Sequence, residues 1–329
     1  MASRSRLAWL QRVSTLLVLG GAFAWLLLSW DRSPGWALAG ALAIACFHAG
    51  VLGLEFLLLP LASRGDPTPR ASLAELFKAW VQEVGFATRV FGWRQPFAWR
   101  REPDELRGEP GLVGIVFVHG FLCNRGFWTP WLREARARGH AFVAVNLEPV
   151  FCSIDDYCDT IEQAVARLEA ATGRPPLLVC HSMGGLAARA WLRRSEGWAR
   201  VAHVVTIGTP HRGTWLARFS RMPNGRQMRI GCDWIAALPG AEPHVGRLFT
   251  CWYTNCDNIV FPPSTATLPG ADNRLLSGAA HVDLAFRPAL VEEVFALARR
   301  LPAEDASPAS EALHRKNGEI SLVGGRTGP

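Results

Sequence analysis

Two apolar stretches at the front of the chain limit its fold more than any other feature. Val13 to Trp30 is an 18-residue run without a charge, and Trp36 to Ala62 is a 27-residue run broken only by His48 and Glu55. A helix that crosses a hydrocarbon core needs about 20 such residues. Asp31-Arg-Ser-Pro-Gly35 between them reads as a turn, so residues 1–62 predict a transmembrane hairpin with helices over 13–30 and 36–62. Trp25, Trp30 and Trp36 fall near the turn, where interfacial aromatics belong. Ala37, Ala41, Ala45, Ala49 and Gly53 recur every four residues, which reads either as a small-residue stripe for close packing of a second helix or as plain abundance of alanine. His48 and Glu55 share a face and fit packing or interfacial roles better than an ion path, which two helices cannot enclose. A cleaved signal peptide is the rival reading of the first run: Ala22-Phe23-Ala24 resembles a cleavage site, but the apolar run continues to Trp30.

Charge sets the expected orientation. Arg4, Arg6 and Arg12 precede the hairpin, Arg64, Arg70 and Lys78 follow it, and the turn holds only Arg32 beside Asp31. The positive-inside rule then predicts a multi-pass protein of the cell (inner) membrane with both ends, and the catalytic domain, in the cytoplasm. The net charge is +7, yet no basic run alternates with stacking aromatics, so no nucleic-acid partner is expected. The eight cysteines include no CxxC pair, which argues against a zinc ribbon. Free thiols suit the cytoplasm; outside it, Cys251 with Cys256 and Cys152 with Cys158 are the pairs to test as disulfides.

Residues 63–110 connect this hairpin to the rest. Ser72-Leu-Ala-Glu75 reads as a capping box, and Leu73, Leu76, Phe77, Trp80, Val81 and Val84 follow helical spacing, predicting an amphipathic helix over 72–86. Residues 101–111 are polar and rich in charge, Gly and Pro, and mark the domain boundary. From 111 to 302 strands alternate with helices: strands near 114–118, 141–146, 177–180, 201–207, 248–254 and 275–276, helices over 131–138, 154–172, 185–194 and 288–301. That order implies an α/β domain with a mostly parallel sheet covered on both faces. The Ala/Ser/Pro/Gly-rich tail, 303–329, is expected to be disordered.

The chemistry centres on Val179-Cys180-His181-Ser182-Met183-Gly184-Gly185. An apolar strand runs into a serine, and small residues follow as a helix begins. Such a serine stands proud of the sheet at a helix N-terminus, where backbone N–H groups stabilise developing negative charge. Phe117-Val118-His119-Gly120-Phe121 ends an earlier strand and supplies the second N–H of an oxyanion hole, Phe121 beside Met183. His119 reads as structural. Serine needs a histidine base held by a carboxylate. His281, in the small-residue loop before the last helix, and Asp257, after the strand at 248–254, fit that need. His203 and His211 flank a strand, and His181 is expected to point away from Ser182. Asp272 and Asp283 compete with Asp257.

These segments together resemble the bacterial esterase/lipase branch of the α/β-hydrolases. The matching pieces are Val118-His119-Gly120-Phe121, His181-Ser182-Met183-Gly184-Gly185, Thr206-Ile207-Gly208-Thr209-Pro210-His211-Arg212-Gly213, Asp257-Asn-Ile-Val-Phe-Pro262 and Gly278-Ala-Ala-His281-Val. The resemblance covers roughly residues 112–300 and not the hairpin. It implies the α/β-hydrolase fold, Ser182 as nucleophile, His281 as general base and acid, Asp257 as orienting carboxylate, an oxyanion hole at Phe121 and Met183, and no metal or cofactor. One departure is Cys180, where the family usually has Gly.

Residues 213–247 exceed an ordinary loop and read as a cap, with Trp215, Phe219, Met222, Met228, Trp234 and Ile235 among Arg212, Arg218, Arg221, Arg226 and Arg229. Such a cap suits acyl chains beside anionic headgroups, and solvated surface arginines are the plainer reading. Trp128 and Trp215 are candidate substrate-binding residues, Trp128 having a core role as its alternative. The expected protein is a membrane-anchored serine hydrolase of carboxylic esters, lipid esters first among them, with membrane lipids as partners. An acyltransferase, a thioesterase or amidase, and a catalytically silent membrane-bound binding module remain the alternatives.

Overall fold

The computed structural model describes residues 5–195, 197–238 and 246–301. The expected disordered tail, 303–329, and residues 239–245 of the expected cap lie outside these.

The first apolar run is one helix, α1 (Arg6–Ser29), begun by the Ser5 side chain accepting the Ala8 N–H. After the turn α2 (Pro34–Ala45) starts with proline in its first turn and Ser33 as cap. The second run is not the single helix expected over 36–62. It breaks at Cys46, and α3 (Phe47–Ala62) leaves at 58° to α2. Neither Gly nor Pro stands at the break, and its cause is tertiary. α2 lies along α1, with Gly40 pressed so closely on the Trp25 indole that a Cβ there would come within 1.9 Å. α3 turns away to pack on α4 (Leu73–Arg89), where Trp80 Nε1 donates to the Ala49 carbonyl at 2.9 Å. The small-residue stripe is thus divided between two partners, Ala37 fully buried in one half and Ala49 and Gly53 facing Trp80 in the other. Among the described residues α1 alone is long and apolar enough to cross a membrane; α2 and α3 qualify only as a bent pair. α1 leaves Leu17 70% and Leu28 81% exposed, an apolar surface that water does not favour.

α4 starts at the expected Ser72–Glu75 capping box and continues past 86 to Arg89, then through a single wider turn at Val90–Arg94. The polar 101–111 segment is tied to the sheet edge: Glu105 bridges Phe142, and Asp104 meets Arg125 at 2.9 Å.

Six strands follow: β1 (Ile115–Val118), β2 (Phe142–Ala144), β3 (Leu177–His181), β4 (His203–Ile207), β5 (Phe249–Tyr253) and β6 (Asp272–Leu275). They form one sheet in the order β2-β1-β3-β4-β5-β6, each pair parallel. Successive strand residues feed opposite layers. Val116, Val118, Leu178, Cys180 and Val204 pack with the helices Cys158–Thr172 and Met183–Ser195. Ile115, Phe117, Leu177, Val179 and Val205 pack with Thr129–Ala137 and Pro288–Arg300. With neither face wet, the central strands are apolar throughout. From β1 the chain moves outward to β2, then returns across β1 to β3. The loops after β1 and β3 therefore part, and the crevice between them at the strands' C-terminal ends is where such sheets bind ligands.

Candidate active site

Ser182 sits at that crevice. It lies between β3 and the helix Met183–Ser195 with φ of 54°, a left-handed conformation that L-residues other than Gly, Asn and Asp seldom adopt. Flanking bonds hold it there: its N–H donates to the Ile207 carbonyl at 2.9 Å, and its own carbonyl accepts from Thr209 Oγ1 at 2.9 Å. Two glycines make the turn possible by close approach. A Cβ on Gly120, in the loop after β1, would lie 2.7 Å from Ser182 Cβ. One on Gly184 would lie 2.5 Å from the Val118 carbonyl oxygen. Cys180, the departure from the family pattern, is wholly buried in the same layer as Leu186 and Cys158.

The structure brings Asp257 and His281 together. His281 Nδ1 is 3.0 Å from Asp257 Oδ2, and both residues are buried. Asp257 Oδ1 accepts the N–H groups of Ile259 (2.9 Å) and Val260 (2.7 Å), which fixes the carboxyl. Occupation of Nδ1 leaves Nε2 as the ring atom for proton transfer. Burial opposes a charged imidazole here, but the charge and hydrogen bond of Asp257, with Glu83 and Glu55 further off, outweigh it and raise the His281 pKa above its ordinary 6.5. The competing carboxylates are engaged elsewhere, Asp272 with Arg274 at 2.7 Å and Asp283 with Arg287 at 2.5 Å. His203 and His211 bond Thr250 and Thr206, each at 2.9 Å.

His119 has a local role: Nδ1 donates to the Gly120 carbonyl at 2.9 Å and Nε2 accepts the Leu147 N–H at 3.0 Å, while burial lowers its pKa to about 4. His181 has more to do than its expected outward orientation implied. Its Nε2 donates to the His281 carbonyl at 3.2 Å, and its ring stacks on Phe127 at 4.4 Å. Burial holds its pKa well below 6.5, which keeps it neutral. Adjacency to Ser182 was the one sequence signal for this contact. Two further contacts had none: Asn258, bonded to the His281 N–H, and Glu83, bonded to the next two N–H groups.

Phe121 is half-buried beside Phe151, ring centroids 5.8 Å apart, and Leu122 follows it at φ 54° with 40% exposure. Met183 opens the helix after Ser182, where backbone N–H groups lack helical partners. Trp128 is not at a pocket wall. It is fully buried against Phe117 and Trp131, because the turn at Arg125–Trp128 folds it under β1, so the structure assigns it to the core. Trp215, in the segment expected to form a cap, is half-buried on Phe261 (5.9 Å) with the Arg218 guanidinium 4.6 Å above its ring. A cavity of about 490 Å³ opens between residues 230–236 and 64–67, and Ser182 does not line it. All eight cysteines are unpaired.

The chain matches the Alpha/beta hydrolase family over residues 115–320, and it belongs to that family. Its doubly covered parallel sheet is the α/β-hydrolase fold. Solved structures of similar fold include two of the lipase BlEst2 from Bacillus licheniformis. The propeptide form aligns at 20% identity over 62% of this chain and 53% of its own, with a TM-score of 0.50. The mature form aligns at 19% identity over 57% of this chain and 92% of its own, with a TM-score of 0.49. A monoacylglycerol lipase from Paleococcus ferrophilus aligns at 16% identity over 60% and 96%, with a TM-score of 0.44. At 20% identity the likeness to the propeptide form is one of fold alone.

Proposed function

We propose that this protein is a membrane-anchored serine hydrolase that cleaves carboxylic esters of lipids through an acyl-enzyme on Ser182. The observation that carries the reading is the meeting, at the C-terminal ends of the central strands, of a left-handed Ser182 and a buried Asp257–His281 pair 3.0 Å apart. Ser182 Oγ attacks the ester carbonyl as His281 Nε2 takes its proton. Asp257 holds the Nδ1–H and steadies the imidazolium that forms. The Phe121 and Met183 N–H groups receive the oxyanion, since Gly120 lies against Ser182 and Met183 begins the helix. His281 returns the proton to the departing alkoxide. Water, deprotonated by the same ring, then attacks the acyl carbon, releasing the acid and restoring Ser182. Every proton is shuttled by His281, and the steps use no metal or cofactor.

The lipid assignment draws on exposed apolar surface. Phe121, Leu122 and Phe151 form an apolar rim beside the serine. α1 exposes leucines to its surroundings, and α3 and α4 carry Leu57 at 70% and Leu73 at 85% exposure. Apolar faces of this extent suit the acyl region of a bilayer. The arginines on either side of the hairpin favour a multi-pass anchor of the cell membrane with the hydrolase domain in the cytoplasm.

The test is a fluorophosphonate probe on the full-length protein in detergent and in lipid vesicles, with the adduct mapped by mass spectrometry. An adduct on Ser182, lost in His281→Ala and absent from a folded Ser182→Ala protein, is expected. Unreactive Ser182 in both environments, or near-normal ester turnover by Ser182→Ala, would refute the reading.

A further inference from the structure

Residues ahead of the family match touch three of the loops that carry proposed catalytic groups, those of Phe121, Asp257 and His281. Gln11 of α1 donates to the Leu122 carbonyl at 3.1 Å, next to Phe121. Glu55 of α3 accepts from Asn258 Nδ2 at 2.7 Å, next to Asp257. Glu83 of α4, 1% exposed, accepts the N–H groups of Val282 and Asp283, each at 3.0 Å, next to His281.

The Glu55 contact is the most specific of the three. Asn258 is wholly buried, and its Oδ1 accepts the His281 N–H at 3.2 Å. An asparagine amide presents one acceptor and one donor end. Turned by 180°, it would set its NH₂ against the His281 N–H, donor facing donor. A glutamate Oε2 on the other side accepts only from the NH₂ end and so selects the orientation in which Oδ1 meets His281. Glu55 is thus the far end of a chain that runs through Asn258 to the His281 backbone. His181 bonds the His281 carbonyl from the opposite side. Glu83 caps the turn that begins at His281, His281–Leu284.

We infer that Glu55, Asn258 and Glu83 are positioning residues for His281, and that the hydrolase domain attains its working geometry only with α3 and α4 seated on it. The inference rests on the serine-hydrolase reading above. The second apolar run, on this view, is part of the catalytic scaffold as well as an anchor. That also accounts for its bend at Cys46: a straight helix over 36–62 following α1 would carry Glu55 away from Asn258.

The test measures kcat and KM for a short-chain p-nitrophenyl ester with full-length Glu55→Leu, Glu55→Gln, Asn258→Ala and the Glu55→Leu/Asn258→Ala double variant in detergent micelles. Rates are normalised to the folded fraction from thermal melts. Glu55→Leu is expected to lower kcat by about tenfold or more with KM within about twofold, because a small displacement of a catalytic group costs rate steeply. Glu55→Gln keeps an acceptor and restores most of kcat. Asn258→Ala, which breaks the chain from the domain side without touching α3, falls as far as Glu55→Leu, and the double variant falls no further. Unchanged kcat in Glu55→Leu, an equal loss in Glu55→Gln, or additive losses in the double variant would overturn the inference. Ser182→Ala in the same assay separates the two readings: if it is silent while Glu55→Leu is normal, only the positioning role fails.

Discussion

Glu83 gives a quantitative check on the packing of α4 against the catalytic loops. Burial raises its pKa from the ordinary 4.5 to about 7, and the Asp257 charge adds to the rise. The N–H groups of Val282 and Asp283 and the charge of His281 oppose it. A carboxyl whose folded pKa exceeds its unfolded value is held best when protonated. Its contribution is therefore complete below about pH 4.5 and is lost as the pH rises through about 7. A rise of roughly 2.5 units corresponds to about 3 kcal/mol across that window. Glu83→Gln keeps one acceptor for these N–H groups and cannot ionise. It gives up about 1 kcal/mol of hydrogen bonding, which roughly offsets what the parent has already lost at pH 5, so it should be close to the parent in stability at pH 5 and the more stable protein at pH 8. For a domain of this size about 1 kcal/mol moves Tm by about 2–4 °C. The Tm difference between variant and parent should therefore swing by about 5–10 °C between the two pH values. Melts followed by tryptophan fluorescence in non-ionic detergent would show it. A Tm difference that is the same at pH 5 and pH 8 would refute the reasoning, since groups that do not interact with Glu83 cancel in the comparison.

Two further outcomes follow from the site. With its pKa raised by Asp257, His281 should place the acid limb of kcat/KM above pH 6.5. Asp257→Asn should move that limb to lower pH and reduce kcat by up to about 10⁴-fold; a parent limb at or below pH 6.5 would contradict the electrostatics. Gly120→Ala forces a methyl to within 2.7 Å of Ser182 Cβ. It should cost about 1–3 kcal/mol by overpacking and slow fluorophosphonate labelling, with a normal labelling rate counting against the close approach.

The sheet and the Asp257–His281 pairing were legible because local signals and tertiary structure agree there. Each central strand is a short apolar run, and each crossover helix shows its own periodicity, down to Gly173 closing Cys158–Thr172 at φ 68°. The interface between appendage and domain was not legible. The break at Cys46 carries no local breaker, since it is set by which helix each half of the run meets. Glu55 reads as an interfacial charge until Asn258 is placed opposite it. Glu83 reads as one polar position of an amphipathic helix, and its burial depends on a loop almost two hundred residues away. Trp128 shows the same limit in reverse, because aromatic spacing after an oxyanion loop does not tell a pocket wall from a core.

The order of synthesis decides when the bonds between the N-terminal helices and the later loops can form. Glu55 precedes Asn258 by 203 positions, and Glu83 precedes Asp283 by 200. At about 5–20 residues per second on the ribosome, the N-terminal helices are made at least ten seconds, or thereabouts, before the loops they hold. Ser182 also emerges well ahead of Asp257 and His281. A nascent or stalled chain thus carries the nucleophile without its base and the supports without their loops. The proposed triad therefore cannot assemble until His281 has been made, long after the helices whose side chains hold its loops.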